Sequence, residues 1–317
     1  MTRIFHASEI ESAVDPGGLV DAVADALAAY SSGSVTVPPV GLLHFDSPPG
    51  DVHIKYGYVH GGATYVVKIA SGFYENPERG LPTSDGIMLV YDRETGALEA
   101  VLMDRGYLTE LRTGAAGAVA ARLLAPAEVR TVGIVGAGVQ GRFQLRLLGH
   151  GVRFEEVLVW SRSQERLDAY RRDMAAEGFE VATTTDLDRL VETCNLIVTA
   201  TPATDPILTR VQPGTHVTAL GSDNLGKQEL SPDVLLTAAV VAADSRSQAL
   251  HHGECAHAVL AGMAPEKIIE LGEIVAGSAV GRTSSDDITV ADLTGVAVED
   301  IVVAEMALAG LTATDAT

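Results

Sequence analysis

Two lysines stand in runs that otherwise read as β-strand. The stretch DVHIKYGYVHGGATYVVKIASG, residues 51–72, sets Lys55 and Lys68 among apolar, β-branched residues on either side of a Gly61-Gly62 turn. An ammonium group in such surroundings loses its hydration unless an anion or hydrogen-bond acceptor meets it. Either both side chains snorkel to water, or something negative comes to them. The formal net charge of −20 repels anions in general, so an anionic substrate would need a local cationic pocket of this kind.

A second constellation carries cofactor chemistry. VGIVGAGVQGRFQL contains Gly136, Gly138 and Gly141 in G-x-G-x-x-G order, with Val139 and Gln140 inside it. Alone the pattern is weak. Here it follows an apolar strand-like run and opens a helical one, the context a dinucleotide fingerprint requires. Gly136 permits the tight turn, Gly138 lets the backbone approach a pyrophosphate, and Gly141 lets helix and strand pack closely. The phosphates would sit on free N–H groups at the helix N-terminus.

An NAD site would end the next strand in an acid for the ribose 2′-hydroxyl. The sequence has VLVWSRSQER instead, with Ser161, Arg162 and Ser163 at that point. Arginine there suits a 2′-phosphate, so the expected cofactor is NAD(P), with NADP(H) favoured. Arg162 stacked on adenine would not discriminate. Two later loops, Thr199-Ala200-Thr201 and Gly221-Ser222-Asp223, also follow strand-like runs and are expected near the ribose and nicotinamide. From the pattern alone, Asp223 is equally a solvated loop acid or a helix N-cap.

The elements that must hold these residues fall into two groups. Residues 16–31 have helical periodicity, and strand-like runs follow at 52–59, 64–70, 86–91 and 98–103, separated by tight turns. That part reads as an antiparallel sheet with helices, ending in an Ala-rich helix at 109–124. From about residue 128, strands alternate with helices: strands at 155–162, 180–183, 195–201, 215–222 and 238–244, helices at 140–149, 164–177 and 186–193. Alternation means βαβ units and a doubly wound parallel sheet. A last helix is expected at 298–311, returning to the first part. The fold class is therefore α/β: a Rossmann domain over 126–297, and an α+β domain over 1–125 and 298–317.

Composition limits the function classes. Hydrophobic residues make up 47% and aromatic residues 5%, which suits buried parallel strands built from Ala, Val, Leu and Ile. The acidic balance argues against nucleic acid and anionic membrane as partners. No apolar run reaches the length of a membrane span, and the N-terminal stretch lacks the apolar core of a signal peptide. Cys194 and Cys255 do not form a CxxC pair, so a reducing, cytoplasmic setting is expected.

The segments VVKIASGFYENPERGLPTSDGIMLVYDRETGAL, LTELRTGAAGAVAARLLA, VGIVGAGVQGR, GSDNLGKQEL and DDITVADLTGVAVED span most of the chain in one order. In that order, and with LRTGAA joined to GAGVQ, the sequence resembles the ornithine cyclodeaminase/μ-crystallin family. The resemblance implies an N-terminal substrate-binding and dimerisation domain, a Rossmann domain, a C-terminal helix that rejoins the first, and a homodimer. It also implies a nicotinamide cofactor and a small amino, imino or oxo acid as substrate. On this resemblance Lys68 contacts the substrate carboxylate and assists proton transfer, Arg112 clamps that carboxylate, and Asp223 faces the reacting amine or imine. Thr113 and the Thr199–Thr201 loop become cofactor contacts. From the residues alone, Lys68 can equally be a surface strand residue, and Arg112 can pair with Glu110 or Asp104.

The sequence departs from the ornithine cyclodeaminase pattern near Lys55. That enzyme carries a glutamate in the strand before the Lys68 strand; here Lys55, preceded by His53, falls at or beside that place. A cation there repels the distal ammonium of ornithine and attracts a second carboxylate. The expected function is reduction of a small α-imino acid, with iminosuccinate to aspartate as the specific candidate. Alanine dehydrogenase-like amination of an oxo acid, cyclodeamination, and a cofactor-retaining μ-crystallin-like binding role are the alternatives. HHGECAH at 251–257 offers metal-ligand types but no standard spacing, and no metal is expected.

Overall fold

The computed structural model describes residues 2–73 and 75–314, and the chain divides into two compact units. The first comprises Met1–Arg112 with Val296–Thr317, and the second Thr113–Gly295. The division falls inside a helix rather than after it, and residues 315–317 of the expected first domain lie outside the described residues.

The first unit runs β1 (Arg3–His6), α1 (Ala7–Ile10), α2 (Pro16–Ser31), β2 (Val35–Thr36), β3 (Gly41–Asp46), β4 (Pro49–Val59), β5 (Thr64–Phe73), β6 (Ser84–Asp92) and β7 (Leu98–Met103). Helix α3 (Tyr107–Leu124) contains the division. The seven-stranded sheet has the order β1-β7-β6-β5-β4-β2, with β3 also on β4. Its neighbours are antiparallel except β1, which adds parallel to β7 and had no sequence signal. Asp15 starts α2 by accepting the Gly18 N–H at 2.8 Å, and Pro16 occupies the first turn, where its missing N–H costs nothing.

The second unit contains β8 (Thr131–Val135), α4 (Val139–Leu148), β9 (Glu156–Trp160), α5 (Gln164–Ala176), β10 (Ala182–Thr184), α6 (Leu187–Thr193), β11 (Leu196–Thr199) and β12 (His216–Ala219). It continues with α7 (Pro232–Thr237), β13 (Val240–Ala243), α8 (Arg246–Ala249), α9 (Glu254–Leu260), β14 (Ile268–Glu270), α10 (Leu271–Val275) and β15 (Thr289–Asp292). Its sheet has eight strands in the order β10-β9-β8-β11-β12-β15-β13-β14, and every pairing is parallel. The strands are buried almost throughout, as a sheet covered on both faces requires. The order reverses between β8 and β11, which makes the ends of those strands the switch point of a Rossmann-type doubly wound sheet.

Helix α11 (Ala297–Thr314) returns to the first unit and packs on α2, β4 and β5. Ala297, Val298, Ile301, Val303, Ala304, Ala307 and Leu311 are buried apolar residues on it. Gly310 lies so close to the carbonyl of Ala13 that a Cβ would stand 2.1 Å from it. One face of the sheet is thus covered by helices. The opposite face presents Val52, Ile54, Tyr56, Val67, Ile69, Ile87, Leu89 and Met103, all at least partly exposed. Among the described residues no helix is long and apolar enough to cross a membrane.

Candidate functional site

Lys55 and Lys68 are register partners on β4 and β5, and neither reaches water: they are 7% and 2% exposed. Like charges directly opposite in an antiparallel pair repel. The counter-charge comes from the first turn of α11. Asp300 Oδ1 lies 3.0 Å from Lys68 Nζ and 3.0 Å from Arg112 Nε, while Arg112 Nη1 donates to Glu299 Oε2 at 2.6 Å. Arg112, 5% exposed, therefore pairs with the two acids of α11. The other oxygen of Asp300 is buried and accepts no hydrogen bond among the described residues.

Burial sets the electrostatics of this cluster. It pushes the Lys68 ammonium down from its ordinary value to about 7; Asp300 resists, and Arg112 and Lys55 add to the depression. Burial works to raise the Asp300 carboxyl, but Arg112, Lys68 and Lys55 together hold it below the ordinary carboxylate value. Asp104, in the turn before α3, is pushed up to about 6 by burial although it accepts the Leu108 N–H at 2.8 Å. Lys68 is thus a lysine poised to hold or release a proton near neutral pH.

Strand alternation puts His53 and Asp51 on the Lys55 face of β4, and His53 Nε2 stands 3.3 Å from Asp51 Oδ1. Their register partners on β5 are Ala70 and Gly72, and those in turn face Gly86 and Ser84 on β6. The residues beside the two lysines on this face are therefore small.

The expected cofactor residues lie in the second unit. Gly136 has φ +120°, and a Cβ on it would meet the Ala200 carbonyl oxygen at 2.5 Å. A Cβ on Gly141 would stand 2.3 Å from the Gly136 oxygen. Above Gly138, the N-cap of α4, there is open space with no atom within 4 Å. The loop therefore has the closeness, turn and clearance that a pyrophosphate cradle needs, and the residues fit a dinucleotide. Val139 is exposed at the start of α4, and Gln140 follows it half-buried. The Thr113 carbonyl accepts from Gln144 at 2.9 Å. After β9, Arg162 is exposed, Ser161 Oγ accepts the Ser163 N–H at 3.3 Å, and Ser163 caps α5.

The loops after β11 and β12 are joined by a residue to which sequence reasoning assigned no role. The buried Glu229 carboxylate accepts from the Thr199 hydroxyl at 2.7 Å, the Thr201 N–H at 2.7 Å, the Thr201 hydroxyl at 2.8 Å and the Gly221 N–H at 2.7 Å. Burial raises the Glu229 carboxyl above its ordinary value. Thr199 is fully buried, so its hydroxyl serves this clamp, and Ala200 and Thr201 form the loop itself. Ser222 Oγ donates to the Lys227 carbonyl at 2.7 Å. Asp223 is about half exposed and pairs with Lys227 at 2.8 Å.

HHGECAH resolves into structural contacts. Glu254 at the start of α9 accepts the N–H groups of Glu229 and Leu230 at 2.7 and 3.0 Å, and burial, with Asp292 second, pushes its carboxyl up to about 9. Cys255 is buried and gives its N–H to Asp292 at 2.8 Å. His251 meets the Ser247 carbonyl and His257 the Lys227 carbonyl. Among the described residues no group of three or more His, Cys, Asp and Glu side chains is placed to hold a metal.

The family profile of the ornithine cyclodeaminase/mu-crystallin family matches residues 1–312. The chain is 36% identical over 257 residues to the iminosuccinate reductase of Paracoccus denitrificans, covering 79% of each. Its fold is similar to that of an archaeal alanine dehydrogenase dimer with bound NAD, with TM-score 0.92, 31% identity, and 99% and 97% of the two chains covered. It is also similar to the Δ1-pyrroline-2-carboxylate reductase of Thermococcus litoralis in complex with NADH and L-proline, with TM-score 0.94, 26% identity, and 99% and 98% covered. Sequence profile, fold and glycine loop agree, and the chain belongs to the ornithine cyclodeaminase/mu-crystallin family.

Proposed function

We propose that the protein is a nicotinamide-dependent reductase of a small α-imino acid that carries a second carboxylate, with iminosuccinate and its product aspartate as the specific candidates. The observation that carries the reading is the burial of Lys55, Lys68 and Arg112 together. A buried ion cluster contributes little that well-packed apolar residues would not. Stability gives no reason to keep three cations there, whereas capture of an anion does.

In this reading Arg112 and Lys68 receive the α-carboxylate, and Lys68 polarises the C=N bond. Lys55, with His53 beside it, receives the distal carboxylate over the small residues Ala70, Gly72 and Gly86. Asp223 pairs with the iminium nitrogen and favours its protonated form. The N–H groups of the Gly136–Gly141 turn hold the pyrophosphate, Ser161 and Arg162 hold the 2′-phosphate of NADP(H), and Thr113, Ala200, Thr201, Gly221 and Ser222 line the ribose and nicotinamide. When bound, the nicotinamide supplies the hydride that reduces the imine carbon. The nitrogen keeps its proton and becomes the product amine. Two of the relatives, an iminosuccinate reductase and a pyrroline-2-carboxylate reductase, are named for imino-acid reduction.

The protein is further proposed to act as a homodimer through the half-exposed apolar face of the first unit's sheet. Ile54, Ile69 and Ile87 make a row across β4, β5 and β6 there, and a contiguous apolar face of this kind calls for a partner.

Oxidation of NADH and NADPH followed with oxaloacetate plus ammonia, with pyruvate plus ammonia, and ornithine turnover followed by ammonia release, test the reading. Oxaloacetate plus ammonia is expected to be fastest. Faster turnover of pyruvate would replace the dicarboxylate with an alanine dehydrogenase-like reaction, and turnover of ornithine alone would make the protein a cyclodeaminase. Cofactor binding without any turnover would leave a binding protein.

A further inference from the structure

We propose that Asp300 is a positioning residue for this reaction: it keeps Lys68 in its cationic form and aligns the ammonium with the Arg112 guanidinium. The inference rests on the proposed role of Lys68. Asp300 belongs to the first turn of α11, far along the chain from the residues it serves, and one of its oxygens meets both Lys68 Nζ and Arg112 Nε at 3.0 Å. A carboxylate hydrogen-bonded to the ammonium and within ion-pair distance of the guanidinium holds the two cations side by side, which is what capture of one carboxylate by both requires.

The surroundings leave this task to Asp300. Lys68 faces Lys55 on β4, Met88 on β6, Arg112 on α3, Asp300 on α11, and Asp104 in the turn before α3, and Glu299 of α11 lies against Arg112. Lys55 and Arg112 push its proton off, and Met88 offers no acceptor. Glu299 is taken up by Arg112 Nη1 at 2.6 Å. Asp104 gives an acceptor to the Leu108 N–H, and its carboxyl is itself raised to about 6. Asp300 alone combines full burial, a carboxyl held below its ordinary value, and direct contact with the ammonium. Two acids at a helix start ordinarily complement the helix dipole. Here they point into a buried cluster instead.

The test is a titration of Lys68 by NMR of 13C-lysine-labelled, ligand-free protein, with Lys68→Met identifying the resonance. In the wild type the midpoint is expected at about 7. In Asp300→Asn it should fall by about one to three pH units, the size of shift an adjacent opposite charge produces. Since the lone substitution leaves three cations together, the pair Lys55→Met and Lys55→Met/Asp300→Asn provides the same comparison with one cation removed. A lower midpoint in the double variant supports the inference; an unchanged midpoint overturns it. The alkaline limb of kcat/KM should move to lower pH in Asp300→Asn, which a purely structural role would not cause. The NMR readout needs no substrate, so a failure to turn over any imino acid counts against the proposed function and not against the role of Asp300.

Discussion

Lys55 and Lys68 stand directly opposite each other in the β4–β5 ladder, both buried, with Asp300 of α11 bonded to Lys68. Two opposed ammonium groups destabilise a sheet unless a counter-charge is brought to them. The arrangement therefore links a local strain in the sheet to a helix at the far end of the chain. It also gives the anion-binding reading its physical basis, and several measurable consequences follow from it and from the glycine loop.

Gly138 and Gly141 should separate binding from folding. Gly138 has φ −86° with open space where a Cβ would go, so Gly138→Ala leaves the fold intact and intrudes only on the phosphate. Thermal unfolding should be unchanged, and the Kd for NADPH should rise about tenfold, or about 1.4 kcal/mol. Gly141→Ala instead forces a Cβ to 2.3 Å from the Gly136 oxygen, and should lower stability by about 1–3 kcal/mol. Equal effects of both variants on stability would contradict the cradle.

Arg162 should choose the cofactor. It is exposed just after β9, where a 2′-phosphate is expected. Arg162→Ala should raise KM for NADPH by about tenfold or more, the worth of a charged hydrogen bond, and leave KM for NADH within about twofold. If NADH and NADPH are affected alike, the arginine stacks on adenine without discriminating.

Stability should depend on pH through Lys68. Its proton is held up to pH 10.5 in the unfolded chain but only to about 7 in the folded, ligand-free protein. Below pH 7 both states are protonated and the residue contributes no slope. Between about 7 and 10.5 only the unfolded state holds the proton, so stability rises with pH, by at most about 1.4 kcal/mol per unit. Urea unfolding of wild type and Lys68→Met across this window should show the wild type gaining on the variant. A constant difference would mean that Lys68 keeps its ordinary affinity for protons.

Much of this architecture was legible locally. β-Branched runs and Gly turns marked β4 to β7, and the glycine motif marked the β8–α4 turn within one residue. What escaped depended on distance. Glu299 and Asp300 lie 187 and 232 positions from Arg112 and Lys68, and at a helix start they look like ordinary dipole partners. Glu229, in KQEL, has the same disguise: nothing near it in sequence reveals that it ties the loops after β11 and β12 together. β15 was missed because it enters the sheet between β12 and β13, out of chain order, as only four residues, the last of them Asp292. The buried state of Lys55 was left open because a strand lysine has two faces to choose from; the register with Lys68 decides it.

The apolar sheet face should report the assembly. Ile69 lies between Ile54 and Ile87 in the row across β4, β5 and β6. Ile69→Glu should convert a dimer to a monomer in light scattering after size exclusion, since a charge at the centre of an apolar contact is left unpaired. A monomeric wild type, or a variant that stays dimeric, would move the interface elsewhere.

Steady-state kinetics of wild type and Lys55→Ala, each with oxaloacetate plus ammonia and with pyruvate plus ammonia, test the central claim most directly. The account predicts a KM at least about tenfold higher for the dicarboxylate and less than about threefold higher for the monocarboxylate, the difference being the lost charge contact. Equal changes for the two substrates would show that Lys55 does not read a second carboxylate.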